Sequence, residues 1–141
     1  MMEFTVELHP WAEVRTQASA VRHEVFVLEQ HVPVELELDA EDPHCLHAIA
    51  LDCEGRCVGT GRLLRDGHIG RMAVRREWRG HGVGTALLRA LIDQARRRGD
   101  RAVVLSAQCH AQGFYEAMGF IVEGGMYLDA GIEHVTMRLS F

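Results

Sequence analysis

Arg79-Gly80-His81-Gly82-Val83-Gly84-Thr85 is the stretch whose residue types are best suited to holding a ligand. Glycines at 80, 82 and 84 remove side chains where a ligand would touch backbone. An amphipathic run follows at once, so the loop opens onto a helix N-terminus whose first N–H groups are unpaired and partly positive. Phosphate suits such a place. Arg79 adds a planar fork for two oxygens, and Thr85 adds a hydroxyl in the first helical turn. Taken alone, these residues also fit a plain glycine-rich turn between strand and helix. Two phosphate loops are excluded by inspection. The nucleotide-hydrolase loop needs Gly-Lys before Ser or Thr, but the chain has no lysine, all 15 of its cationic side chains being arginine. The dinucleotide fingerprint G-x-G-x-x-G would need glycine where Thr85 stands.

Other reactive residues are weaker candidates. Cys45, Cys53, Cys57 and Cys109 form no CxxC pair, so free thiols in a reducing compartment are expected. His44, Cys45, His47, Cys53 and Cys57 lie close in sequence, yet strand alternation would point them to opposite faces, so no metal site is expected. Cys109, beside His110, could carry an acyl group in principle, without an evident supporting histidine elsewhere.

The elements that must position these residues follow from periodicity and breakers. Residues 4–8 alternate as a first strand ended by His9-Pro10. From Trp11 to Leu28, Val14, Ala18, Val21, Val25 and Leu28 recur at spacings of three and four, one apolar helical stripe that stops before Pro33. Residues 44–51 and 57–64 read as strands joined at Asp52-Cys53-Glu54-Gly55, and Arg65-Asp66-Gly67 turns into a strand at 68–74. A helix is predicted over 83–98, burying Leu87, Leu88, Leu91 and Ala95 and stopped by Gly99. Residues 102–107 form a continuous apolar strand of the kind that sits beside a parallel neighbour. A helix at about 110–118, a strand near Phe120, a loop at 129–131 and a last strand at 134–139 complete a mixed α/β domain with helices on both faces of the sheet.

Arg-x-x-Gly-x-Gly at Arg79, Gly82 and Gly84, preceded by the strand Met72-Ala73-Val74, resembles the acetyl-CoA pyrophosphate loop of the GNAT superfamily of N-acetyltransferases. Phe114-Tyr115-Glu116-Ala117-Met118-Gly119-Phe120 resembles the superfamily's later Phe-Tyr-x-x-x-Gly-Phe motif, and the order of elements matches end to end. A closer likeness, through Arg22-His23-Glu24-Val25-Phe26-Val27, Glu29-Gln30, Val32-Pro33 and Ile69-Gly70-Arg71-Met72-Ala73-Val74, is to bacterial groups around ElaA and YjcF. The resemblance implies one N-acetyltransferase domain over residues 1–141, with a mixed, mostly antiparallel sheet whose central strand pair splays apart. It implies acetyl-CoA as co-substrate and no metal. The pantetheine arm would lie against Met72, Ala73 and Val74, and the pyrophosphate against Arg79, Gly80, His81, Gly82, Val83, Gly84 and Thr85. Gln108 stands where many members have Asn, keeping an amide on a longer arm for the pantetheine or the substrate.

Direct attack of an amine on the thioester then sets three needs. The backbone N–H of Val74 would polarise the carbonyl. Tyr115, which the resemblance places beside the cofactor, would protonate the departing sulfur, the alternative being an aromatic packed beside Phe114. An alkylamine of pKa near 10.4 costs about 4.6 kcal/mol to deprotonate at pH 7, so a base is needed. Among Glu24, Glu29, Glu35, His44 and His47, Glu29 is taken as that base, although a solvated glutamate at a helix end would look the same.

Composition fits one domain with a real core: 141 residues, 48% apolar, with no apolar run near the roughly 20 residues that span a bilayer. A cytoplasmic protein is expected. The net charge of −5 argues against nucleic acid as partner, and Arg96, Arg97, Arg98 and Arg101 read as a solvated helix end. The expected partner is a small-molecule amine, with neither nucleic acid nor membrane, for a monomer or homodimer. Glu35, Glu37, Asp39, Glu41 and Asp42 are either a solvated loop or a negative rim that would draw in a cationic acceptor such as a polyamine. A non-catalytic acyl-CoA sensor and an interaction module are the other classes of function compatible with the chain.

Overall fold

The computed structural model describes residues 2–141. Seven strands form one sheet in the order β1-β2-β3-β4-β5-β7-β6: β1 (Phe4–Pro10), β2 (Leu46–Asp52), β3 (Cys57–Leu63), β4 (His68–Val74), β5 (Ala102–Gln108), β6 (Ile121–Asp129) and β7 (Ile132–Ser140). All neighbours are antiparallel except β4 and β5. The expected class is therefore observed: a mixed, mostly antiparallel sheet with helices on both faces.

Strand alternation divides the core in two. Ile49, Cys57 and Ala73 turn to one face, where α1 (Trp11–Arg22) packs through Val14 and Val21. Ala48, Ala50 and Val58 turn to the other, against Leu87, Leu88, Leu91 and Ile92 of α3 (Val83–Arg97). Each of those large side chains contributes about 1.5–3 kcal/mol by burial. That packing fixes α3 although its N-terminus has no side-chain cap, Gly82 standing there at φ 85°. Tyr115 of α4 (Gln112–Ala117) and Phe120 close the same core over Val135 and Met137.

Three departures from the expected elements bear on the site. The apolar stripe runs on through Val25, but residues His23–Glu29 are π-helical, and the altered phase throws Leu28 out to 61% exposure. A one-turn helix α2 (Val34–Glu37) follows Pro33, unannounced by any periodicity. The strand near Phe120 extends for nine residues, all exposed, and joins β7 through a two-residue turn in which Ala130 and Gly131 both have positive φ. Among the described residues no helix is long and apolar enough to cross a membrane.

Candidate active site

β4 and β5 pair only at His68↔Val104 and Ile69↔Leu105 and then diverge. The divergence starts at a bulge, because Thr60 pairs with Ala73 and Arg62 with Gly70, leaving Arg71 and Met72 opposite Gly61 alone. A Cβ at Gly61 would press on the Met72 sulfur, so a larger residue there would have to displace the Met72 side chain. Beyond the bulge, Met72, Ala73 and Val74 have β3 on one side and the opening on the other. The N–H of Arg75 bonds the Val58 carbonyl (2.9 Å), so Val74 turns its own N–H and C=O to the opening.

The chain then passes through Arg79 and the glycine loop into α3. Gly80 and Gly82 hold left-handed φ of 77° and 85°, with open space where a Cβ would point. Val83 is buried, so only its backbone can face a ligand, whereas His81 is exposed against the edge of Trp78. Arg79 is already engaged. Its Nε bonds the Val74 carbonyl (3.0 Å), and its two terminal nitrogens grip both oxygens of Glu29 at 3.0 and 2.7 Å.

α1 packs over β1 to β4, and a cleft of about 480 Å³ opens beside it between β4 and β5. Met72, Ala73, Val74, Arg79, Gln108 and Tyr115 all line it. The Tyr115 ring is buried edge-on against Phe114 and Phe120, and burial pushes its phenol pKa up to about 12. Gln108 Nε2 donates to Gln30 Oε1 (2.8 Å) across the cleft, and Gln108 Oε1 lies 2.6 Å from His110 Nε2.

His134, which sequence reasoning missed, also lines the cleft. It pairs with Gln108 of β5 and Tyr127 of β6. Its Nδ1 lies 2.7 Å from the Ile132 carbonyl, which can only accept, so Nδ1 is the donor and, in the neutral ring, Nε2 is the nitrogen that keeps a lone pair. Tyr127 stacks on the imidazole (centroids 6.0 Å, 23°) and shares a hydrogen bond with Ser106.

The residues weighed as base fare differently. Glu24 pairs with Arg75 (2.6 Å), Glu35 and His44 are exposed, and His47 is buried with Nε2 on the Asp42 carbonyl. The hydrogen bonds from Arg79 hold Glu29 below the ordinary carboxylate range despite partial desolvation, which makes it a weaker base than a free glutamate. Glu29 is thus drawn to the start of the glycine loop by a partner 50 residues away. Cys45 and Cys57, considered above as metal ligands, bond the carbonyls of Glu41 and Gly59 instead. The acidic run is not a rim either. Glu37 and Asp42 turn inward onto Arg22 (2.5 and 2.9 Å), and Asp39 and Asp42 onto Arg62 (2.6 and 2.8 Å), leaving Glu35 and Glu41 in solvent.

A splayed parallel pair, a glycine loop at an uncapped helix start and a tyrosine-bearing cleft are the features of an acyl-transfer domain that takes its acyl group from a coenzyme A thioester. The family model described as "Acetyltransferase (GNAT) domain" matches residues 12–141, and the chain belongs to that family, which makes it an acyltransferase. It is 38% identical over 121 residues to the uncharacterised N-acetyltransferase YjcF of Bacillus subtilis (83% of this chain, 86% of the relative). Among solved structures it is similar to an acyl-CoA N-acyltransferase of Pseudomonas aeruginosa (TM-score 0.83, 32% identity, 98% and 99% covered). It is also similar to Escherichia coli ElaA (TM-score 0.83, 28% identity, 98% and 99% covered).

Proposed function

We propose that the chain is a cytoplasmic N-acetyltransferase that moves the acetyl group of acetyl-CoA to a small-molecule amine by direct attack in a ternary complex. The observation that carries this reading is that Met72–Val74 and Arg79 line one cleft with Tyr115, and that the chain runs on from Arg79 through the glycine loop into the uncapped start of α3. The strand edge suits the amides of the pantetheine arm, and the loop from Gly80 to Thr85 suits the pyrophosphate. Gln108 is held by Gln30 and His110 where it can reach either substrate.

Val74 directs its N–H at the thioester carbonyl as oxyanion charge develops. Tyr115 meets the departing sulfur. With its pKa near 12, full proton transfer to a thiolate of pKa about 8.5 is uphill by about 3.5 pK units, close to 5 kcal/mol, so the phenol acts by donating a hydrogen bond to the sulfur. We assign removal of the amine proton to Nε2 of His134 in place of Glu29, because Glu29 is held by Arg79 and His134 stands in the cleft wall with its basic nitrogen free of the Ile132 bond.

Calorimetry with acetyl-CoA, followed by thiol release across an amine panel, tests the reading. Arg79 must exchange Glu29 for pyrophosphate, so the two residues should act in opposite directions. Arg79→Ala should weaken acetyl-CoA about tenfold, from loss of one charge-assisted contact, and Glu29→Gln should tighten it severalfold by freeing the fork. Unchanged affinity in Arg79→Ala would remove the loop assignment. Tight binding without turnover of any amine would favour an acyl-CoA sensor.

A further inference from the structure

Arg71 breaks several regularities at one point. It is a non-glycine residue at φ 50°, a left-handed conformation that side chains rarely adopt, and it is one of the two bulged residues of β4. Its guanidinium is poorly paired. Nε is buried without a hydrogen-bond partner, and the contacts of one terminal nitrogen are all long: 3.4 Å to the Leu36 carbonyl, 3.3 Å to that of Glu37 and 3.5 Å to Asp39 Oδ2. Asp39 gives its short contact, 2.6 Å, to Arg62. Burial, and then repulsion from Arg62 and Arg22, lower the Arg71 pKa against the smaller pull of Asp39 and Glu37, so this cation is under-compensated where it stands. Bulges beside active sites re-aim side chains. Here the side chain is part of the cleft wall, next to Leu36 and Glu37, with 29% of its surface exposed.

We propose that Arg71 is the docking point for a carboxylate on the acceptor, so that the substrate class is amines that also carry a carboxylate, such as α-amino acids and ω-amino acids. This rests on the acetyl-CoA-dependent reading above. A planar fork with open donors matches a carboxylate. A monoanion fits better than a phosphate dianion, because Glu37, Asp39 and Asp42 stand in the same cluster and repel a second negative charge, while Arg71 alone among arginines 22, 62 and 71 lacks a short ion pair. Docking on β4 also places the acceptor on the strand whose end, Val74, faces the reacting carbonyl. Polyamines have no acceptor or negative charge for this guanidinium, and neutral amino sugars offer it hydroxyl oxygens without the charge.

The test is thiol release with acetyl-CoA and a panel of amines offered in pairs, each amino acid against its own amide. Free acids should exceed their amides at least tenfold in kcat/KM, mainly through KM. Arg71→Gln and Arg71→Asn, the second tolerating positive φ, should bring the acid-to-amide ratio close to one, while Arg71→Lys keeps part of it. Calorimetry with acetyl-CoA on the same preparations separates the readings. The proposal is overturned if amides match or beat acids, if the ratio survives in both variants, or if no acid is acetylated although acetyl-CoA binds. It is equally overturned if replacing Arg71 weakens acetyl-CoA itself, since the arginine would then serve the coenzyme. Failure of the parent to bind acetyl-CoA would remove the proposed function, and this proposal with it.

Discussion

Replacing His134 with glutamine should lower kcat/KM at pH 7 by about 10² to 10⁴, the range over which a positioned base contributes, with acetyl-CoA affinity intact. The loss should depend on pH. Without a base, the reaction waits for amine that has shed its own proton, a fraction that grows about tenfold per pH unit below the amine pKa near 10.4. The gap between variant and parent should therefore narrow steadily from pH 7 to pH 9. Tyr115→Phe should behave otherwise. It removes one hydrogen bond to a developing thiolate, about 1.5–3 kcal/mol, so turnover should fall by roughly 10 to 10². That deficit should stay flat over the same range, because a phenol of pKa about 12 remains protonated throughout. If His134→Gln turns over within a factor of two of the parent at pH 7, the imidazole is packing for Tyr127 and the proton leaves by another route.

The parts of the site legible in the sequence are those fixed by local backbone chemistry. The glycine loop and the start of α3 announce themselves because positive φ at Gly80 and Gly82 and an amphipathic period lie within a few residues of each other. Strands β2 to β5 and the chain reversals between β2, β3 and β4 were legible for the same reason. Features made by pairing distant segments were not. His134 reaches the cleft only because β7 inserts between β5 and β6, and nothing in Gly131-Ile132-Glu133-His134 records that order. Glu29 reads as a solvated helix end until the fold brings Arg79 against it. The bulge was hidden in another way: glycine is the usual resident of a left-handed bulge position, and here it is Arg71 that adopts φ 50° while Gly70 precedes it. β6 escaped full description because Gly124-Gly125 interrupt it and both its faces are exposed, which removes the alternation that marks a half-buried strand.

The acidic run, readable from sequence only as surface charge, supports the largest stability effect expected in the protein. Arg22 is 2% exposed, lies over the Trp11 ring (5.4 Å) and ties Glu37 of α2 to Asp42 ahead of β2. Replacing it with methionine keeps the packing volume but leaves Glu37 with no ion pair and Asp42 with Arg62 alone. Uncompensated buried charge of this kind costs about 3–5 kcal/mol, a fall in Tm on the order of 10–20 °C for a chain of this size. Burial alone would raise the Asp42 pKa, but Arg22 and Arg62 outweigh it and hold it below its usual 3.8; Asp39 is held down similarly by the Glu41 N–H and Arg62. Depressed carboxylates contribute stability above the unfolded value and lose it as pH falls below about 3.8. His47 adds an earlier step. Burial lowers its pKa from 6.5, so below that pH the unfolded chain takes up a proton that the folded one refuses. Acid unfolding of the parent should thus begin to cost stability below pH 6.5 and accelerate below 3.8, and Arg22→Met should weaken the second stage and, to a lesser degree, the first, because the Arg22 charge also helps to hold the His47 pKa down. Adding Glu37→Leu should restore part of the loss, since it removes the charge that Arg22 had matched. A single variant losing less than 1 kcal/mol by urea titration would mean that water reaches Glu37 freely, and the wall of the cleft formed by Leu36 and Glu37 would then owe its position to Pro33 and α2 rather than to the ion-pair cluster.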